Sequence, residues 1–121
     1  MVHASMGAGE ENSGKLVTQV RKTGRQLANK LNRKYILNDG PPGTGCATIA
    51  SVTGADAVLL ILEPSITSLH DAERVIQLVQ KFDIPIYALI NKVSINPQLS
   101  KKIAGFLQRK GIELLGEIPF D

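Results

Sequence analysis

The chain has 121 residues, of which 43% are hydrophobic, and carries a net charge of +3 from 14 Lys and Arg against 11 Asp and Glu. This length and composition predict one globular domain with a single modest core rather than a disordered chain. The longest apolar run, residues 57–62, is far shorter than the roughly 18 to 20 residues that span a bilayer, and the N-terminus lacks the apolar core of a signal peptide, so we expect a cytoplasmic protein. Cys46 is the only cysteine, which excludes an internal disulfide and a cysteine-only metal centre within the chain.

The first predicted element is a helix that begins at Ser13, after a flexible lead over residues 1–12. Its apolar face carries Leu16, Val20, Leu27 and Leu31. The basic residues that crowd the same segment are Lys15, Arg21, Lys22, Arg25, Lys30, Arg33 and Lys34. A solvated helix face explains them most simply, and the alternatives are a docking surface for an acidic partner or for nucleic acid. No aromatic side chain is interleaved to stack on bases, so we do not expect nucleic-acid binding.

The rest of the sequence alternates predicted strands with predicted helices. The strands cover residues 34–38, 56–62, 84–90 and 112–118. Between them, one helix starts at a capping box of Ser68 and Asp71, and the next starts at Asn96 and Pro97 and ends at Gly111. Strands separated by such helices imply right-handed crossovers. The predicted fold is therefore α/β, a parallel sheet with helices on both faces, in one domain over residues 13–121.

The stretch "GEENSGKL", residues 9–16, reads G-x-x-x-x-G-K and stops one residue short of a phosphate-binding loop. Leu16 stands where such a loop needs a hydroxyl for Mg²⁺, and Glu10 and Glu11 lie inside the loop, where their charges would repel a phosphate. We therefore interpret the stretch as the capped start of the first helix.

Asp39 directly follows the strand at residues 34–38 and precedes Gly40, Gly43 and Gly45. Nucleoside-triphosphate enzymes place a carboxylate at such a strand end near Mg²⁺, directly or through water, while a glycine loop exposes backbone N–H groups toward the γ-phosphate. A plain turn is the alternative, because Asp, Gly and Pro all favour turns.

Asn91 and Lys92 follow the strand at residues 84–90. An Asn amide both donates and accepts, so it can pair with the edge of a purine while a Lys stem packs on the ring. A solvated turn is the alternative, and the spacing after "DGPPG" favours the nucleotide site. Ser94 stands where guanine-preferring proteins carry an Asp, which argues against a guanine preference. Glu63, after the strand at residues 56–62, is a candidate supporting residue at the same sheet edge.

These segments together resemble a known family in their order and spacing, namely "GEENSGKLVTQVRK", "DGPPGTGC", "SVTGADAVLLILEPSITSLHDAERV", "FDIPIYALINK", "NP" and "GEIPFD". Residues 9–121 resemble the C-terminal half of the MinD/Mrp-type P-loop ATPases, in the branch with an inserted ferredoxin domain. The resemblance implies that Asp39 is the Walker B carboxylate that organises Mg²⁺, and that Gly40 and Gly43 belong to the switch loop. It further implies that Asn91 contacts adenine with Lys92 beside it, and that the segment 118–121, with Pro119 and Asp121, borders the base pocket.

The resemblance also implies parts that these residues do not contain, a Walker A loop and the cysteine clusters of iron–sulfur centres. We therefore expect ATP and Mg²⁺ to bind in the intact protein, and iron–sulfur clusters to lie only on an upstream segment. The chain alone then holds no catalytic residues and is not a competent ATPase; a fragment, a split-gene product and a degenerate relative all remain open. Expected partners are an upstream P-loop or ferredoxin segment, or a second copy. The alternative function is a non-catalytic α/β interaction domain that docks an acidic partner or nucleic acid through its basic helix.

Overall fold

The computed structural model describes residues 1–3, 13–41 and 45–121. Its helices and strands are α1 (Ser13–Lys30), α2 (Cys46–Val52), β1 (Val58–Leu62), α3 (Ile66–Gln80), β2 (Ile86–Asn91), a short 3₁₀ turn (Val93–Ile95), α4 (Pro97–Arg109) and β3 (Glu113–Ile118). They belong to two compact units, residues 1–54 and residues 55–121. The predicted α/β class with a parallel sheet is confirmed. Most of the predicted lead over residues 1–12 lies outside the described residues.

In the first unit, α1 approaches α2 closely at Gly14. A Cβ atom placed on Gly14 would lie 3.2 Å from the Cβ atom of Cys46, so Cys46 would have to shift by a few tenths of an ångström to accommodate any larger residue. Gly14 belongs to the stretch "GEENSGKL", and its residues 13–16 form the start of α1. Helix packing therefore accounts for this glycine, and the start of α1 at Ser13 agrees with the interpretation of the stretch as a helix start. The predicted cap lies outside the described residues.

Arg21 on α1 binds the carboxyl end of α2. Its Nη1 atom donates a hydrogen bond of 2.6 Å to the carbonyl oxygen of Ala50 and another to the carbonyl oxygen of Thr53. Free carbonyls and negative dipole charge collect at this end of a helix, so the guanidinium stabilises it. Burial lowers the pKa of Arg21, and the charge of Arg25 lowers that pKa further, but an arginine in a protein remains protonated.

Arg21 is consequently not part of the solvated basic face that the sequence predicts. The basic residues of α1 that are exposed are Lys15, Lys22, Arg25 and Lys30. The alternative of an acidic partner that docks on α1 stays a prediction, and it concerns only these exposed side chains.

Replacing Arg21 with methionine is expected to destabilise α2 by about 1 kcal/mol. Hydrogen bonds to a charged group contribute about 1.5–3 kcal/mol, but the Nε atom of Arg21 is buried without a hydrogen-bond partner among the described residues, which reduces the net loss. Arg25→Met is the control, because Arg25 is exposed on the same helix. Amide hydrogen exchange in α2 measures the effect, and equal protection of α2 in both variants would contradict this role of Arg21.

The strand predicted over residues 34–38 does not form. The side chains of Tyr35 and Leu37 are 90% and 95% exposed, and the segment has no regular secondary structure. A strand needs a neighbour that takes up its backbone hydrogen bonds, and the described residues pair no strand with this segment. The prediction is therefore wrong for these residues, and α2, which the sequence pattern does not predict, is a further difference.

The second unit is built on a parallel sheet in the order β1-β2-β3. Val58 pairs with Ile86 across β1 and β2, and Tyr87 pairs with Glu113 across β2 and β3. The connection from β1 to β2 through α3 and the connection from β2 to β3 through α4 both move the chain across the sheet in the same direction. Because such connections are right-handed, α3 and α4 lie on the same face of the sheet. The core on that face consists of Leu62, Ala72, Ile76, Ala88, Ile90, Ile103, Leu107 and Ile112.

The opposite face of this sheet carries apolar side chains that the second unit does not cover. Leu59 is 50% exposed, Ile61 is 62% exposed and Leu115 is 55% exposed. Side chains alternate between the two faces of a strand, so Leu59 and Ile61 point away from the core that Leu62 enters. The unit by itself therefore supplies helices to one face only.

The caps of α3 and α4 fix where the loops after β1 and β2 end. Ser65, rather than the predicted Ser68 and Asp71, caps α3, because its Oγ accepts a 3.0 Å hydrogen bond from the Ser68 N–H. The predicted start of α4 is confirmed, since Asn96 Oδ1 accepts from the Leu99 N–H at 3.1 Å and Pro97 follows.

The predicted end of α4 is confirmed as well. Gly111 has a φ of +71°, a left-handed conformation that favours glycine. The N–H of Gly111 donates to the carbonyl oxygen of Gln108 at 3.1 Å. The N–H of Ile112 donates to the carbonyl oxygen of Leu107 at 2.9 Å. This pair of bonds closes the helix and turns the chain into β3.

Candidate functional site at the carboxyl ends of the strands

The parallel strands of the second unit bring three polar segments to one edge of the sheet. Because β1, β2 and β3 run in the same direction, the segments that follow them meet at their carboxyl ends, where ligands bind in open parallel sheets. These segments hold Glu63 after β1, Asn91 to Ser94 at the end of β2, and residues 119–121 after β3. The sequence prediction that Asn91 and Lys92 lie at this edge is met by their positions.

Asn91 is the last residue of β2, and its side chain is half-buried. Its Oδ1 atom accepts a hydrogen bond of 3.0 Å from the N–H of Lys92. That bond orients the amide and leaves its NH₂ group without a partner among the described residues. The side chain therefore presents two donors and a remaining lone pair from a fixed position.

Lys92 points toward the end of β1. Its backbone is left-handed, with φ 58°, and its Nζ atom lies 2.8 Å from Oε1 of Glu63. Both side chains are partly exposed, so the ion pair contributes little to stability. Its effect is to hold the lysine stem across the sheet edge beside Asn91, with the ammonium group already paired.

Glu63 is in turn held by the start of α3. Its backbone N–H donates to Ser68 Oγ at 3.1 Å, and its carbonyl oxygen accepts from the Ser65 N–H at 2.7 Å. The sequence indicates Glu63 only as a candidate supporting residue, and the structure pairs it with Lys92.

Ser94 joins the loop after β2 to the segment after β3. Its Oγ atom accepts a hydrogen bond of 2.9 Å from the N–H of Phe120, and it donates to the carbonyl oxygen of the same residue at 3.4 Å. Pro119 and Asp121 flank Phe120, and all three residues are exposed. From the sequence, Ser94 stands out only as a substitute for an Asp, because its contact with Phe120 joins residues far apart in the chain.

The turn that follows Asn91 is also bound to α4. Ser100 is buried, and its Oγ lies 3.1 Å from the carbonyl oxygen of Val93 and 2.9 Å from that of Asn96. A fixed loop keeps Asn91, Lys92 and Ser94 in one arrangement.

The remaining predicted site residues belong to the first unit. Asp39 is exposed, and Gly40 lies near α2, where an added Cβ would meet Ser51 only at ordinary van der Waals distance of 3.7 Å. Gly43 lies outside the described residues. Within residues 1–3, 13–41 and 45–121, no group of three or more His, Cys, Asp or Glu side chains could hold a metal ion. The assignment of Asp39 to Mg²⁺ stays a prediction.

None of the helices in the described parts of the chain is long and apolar enough to cross a membrane.

Comparisons with known proteins give the family. Residues 20–121 match the ParA family model that is described as NUBPL iron-transfer P-loop NTPase. An uncharacterized protein of Methanocaldococcus jannaschii is 29% identical over 79% of this chain and 33% of its own length. The iron-sulfur cluster carrier protein of the same organism is 29% identical over 72% of this chain and 34% of its own length. The chloroplastic septum site-determining protein minD homolog of Arabidopsis thaliana is 32% identical over 72% of this chain and 28% of its own length.

The chain thus spans about one third of the length of the relatives it matches. The matched region includes the whole sheet edge with Asn91, Lys92 and Ser94, and Asp39 as well. The similarity extends over most of this chain, and the chain belongs to the ParA family of P-loop NTPases.

Proposed function

We propose that this chain provides the base-binding side of an ATP site, together with the carboxylate that organises Mg²⁺, in a ParA/MinD-type ATPase. The observation that carries the proposal is the oriented amide of Asn91, whose NH₂ group has no partner among the described residues. Family membership makes a nucleotide the expected ligand, and the position at the carboxyl ends of parallel strands is where such ligands bind.

The adenine base is bound by hydrogen bonds and by packing. The edge of the purine presents a hydrogen-bond donor next to an acceptor. The NH₂ group of Asn91 donates to that acceptor, and the side-chain carbonyl oxygen of Asn91 accepts from that donor. The alkyl stem of Lys92 packs on the ring, while Glu63 neutralises its ammonium group. Pro119, Phe120 and Asp121 border the base on the side of β3.

Asp39 holds Mg²⁺ directly or through water. The exposed carboxylate is an oxygen ligand of the kind this ion prefers, and a single protein carboxylate fits an ion whose other ligands are water and phosphate oxygens. When bound, Mg²⁺ neutralises negative charge on the phosphate groups of the nucleotide. Because Gly40 and Gly43 have no side chain, they would let the γ-phosphate approach the main chain after Asp39.

The phosphate-binding loop comes from another segment, encoded upstream or carried by a partner. A relative is named an iron-sulfur cluster carrier protein, and we propose that ATP binding in the intact protein is coupled to iron–sulfur chemistry on that segment. The chain then acts as one part of an assembled site and is not an ATPase by itself.

Calorimetric titration with Mg·ATP tests this function. We expect weak or no binding by the chain alone, and binding at least tenfold tighter after co-expression with a segment that bears the P-loop, because that loop supplies most of the contacts to the phosphates. Strong ATPase activity of the chain alone that is lost in a Lys15→Ala variant would contradict the proposal. Failure of the co-expressed pair to bind ATP would contradict it as well.

A further inference from the structure

We propose that Ser94 is a positioning residue that holds the segment after β3 against the base, an inference that rests on the proposed function. Ser94 makes two hydrogen bonds to the main chain of Phe120, accepting from its N–H at 2.9 Å and donating to its carbonyl oxygen at 3.4 Å. These two bonds join the turn that follows Asn91 to the segment that borders the other side of the base.

The segment at residues 119–121 depends on this contact. Ladder pairing of β3 ends where Ile118 pairs with Asn91. Beyond that point, the only hydrogen bonds that residues 119–121 make within the described part of the chain are the two with Ser94. Without the hydroxyl group, the N–H and the carbonyl oxygen of Phe120 form hydrogen bonds with water instead, and the exposed segment is free to move away from Asn91.

Ser94 is itself well placed to act as an anchor. It lies in the 3₁₀ turn Val93–Ile95, where the Ile95 N–H donates to the carbonyl oxygen of Lys92 at 3.1 Å. The buried hydroxyl group of Ser100 lies 3.1 Å from the Val93 carbonyl oxygen and fixes the same turn to α4. The anchor therefore belongs to a loop that is itself held by hydrogen bonds, whereas the segment after β3 makes no other hydrogen bond within the described residues.

The contact also uses most of the hydrogen-bonding capacity of Ser94. A hydroxyl group has one donor and two lone pairs, and the main chain of Phe120 takes the donor and one lone pair. Ser94 thus acts on the base through the segment it holds, and not as its main hydrogen-bond partner.

Two variants and two ligands test the inference in the chain co-expressed with a P-loop segment. Ser94→Ala removes the hydroxyl group, and Ser94→Thr retains one. We expect Ser94→Ala to weaken Mg·ATP binding about three- to tenfold, the effect of losing about one ordinary hydrogen bond, and Ser94→Thr to restore it. Binding of Mg·tripolyphosphate, which has no base, should stay the same in all three proteins.

A distant variant controls for loss of stability. Gly111→Ala strains the backbone at the opposite end of β3, where φ is +71°, and it should leave the ratio of the ATP and tripolyphosphate affinities unchanged. In the chain alone, the amide hydrogen of Phe120 should exchange faster in Ser94→Ala than in the unchanged protein or in Ser94→Thr.

The outcomes separate the two proposals. If the unchanged pair of segments does not bind ATP, the proposed function fails, and this inference fails with it. If the pair binds ATP but Ser94→Ala leaves the affinity unchanged, or weakens ATP and tripolyphosphate equally, the role of Ser94 is overturned and the proposed function stands.

Discussion

Truncation of Leu62 to alanine is expected to remove a large part of the stability of the second unit, whereas the same truncation at Leu59 on the same strand has little effect. Leu62 is 1% exposed and lies in the core under α3 and α4, while Leu59 is 50% exposed on the opposite face. A buried Leu→Ala change costs about 3–5 kcal/mol. Domains of this size have a total stability of roughly 3–10 kcal/mol, so the loss at Leu62 is a large part of it.

Urea denaturation followed by circular dichroism measures the difference. The urea concentration at the midpoint should fall sharply for Leu62→Ala and by little for Leu59→Ala. For Leu59→Ala, the free energy of unfolding should depend on urea concentration with the same slope as in the unchanged protein. Equal losses at the two positions would show that the face bearing Leu59 is also packed in solution, which contradicts the one-sided core described for this unit.

Replacing Asn91 with alanine is expected to weaken Mg·ATP binding about 10- to 100-fold in the chain co-expressed with a P-loop segment. The change removes the NH₂ donors and the free lone pair that the proposed function assigns to the base, and two hydrogen bonds of ordinary strength account for this range. Mg·tripolyphosphate should bind equally well to both proteins, because Asn91 does not reach the phosphates in the proposed arrangement.

Asn29→Ala is the matched control, since Asn29 is exposed on α1 and has no assigned role. Calorimetric titration of the three proteins with both ligands gives the result. An Asn91→Ala variant that binds ATP as tightly as the Asn29→Ala control would exclude Asn91 from base recognition.

The sequence predicts the elements whose signals are local. Asn96 followed by Pro97 marks the start of α4, and Gly111 marks its end, because the cap, the first-turn proline and the left-handed residue each act within a few residues. The apolar runs that become β1 and β2 are recognisable for the same reason, although the structure begins both strands slightly later than predicted.

Predictions fail where the deciding interaction is distant or the signal is weak. The residues at 34–38 have the composition of a strand, but a strand depends on a partner that local sequence does not specify. The helix α2 has only 7 residues, with β-branched Thr48, Ile49 and Val52, and such a short segment carries little periodicity.

The site shows the same division. Asn91 and Lys92 could be placed at the sheet edge because they directly follow a recognisable strand. The pairing of Lys92 with Glu63 and of Ser94 with Phe120 joins residues that are distant in the chain, so no spacing rule identifies it. The assignments of Asp39, Gly40 and Gly43 to Mg²⁺ and phosphate stay predictions.

The left-handed backbone of Lys92 sets stability against the proposed role of its side chain in base binding. A residue with a side chain costs about 1–2 kcal/mol in this conformation, and glycine largely avoids that cost. Lys92→Gly would therefore stabilise the fold while it removes the stem that lies beside Asn91 and the partner of Glu63. Selection of variants for heat resistance alone would favour this substitution and discard a side chain of the proposed base-binding site. Lys92 marks a place where the chain keeps a side chain at the expense of backbone energy.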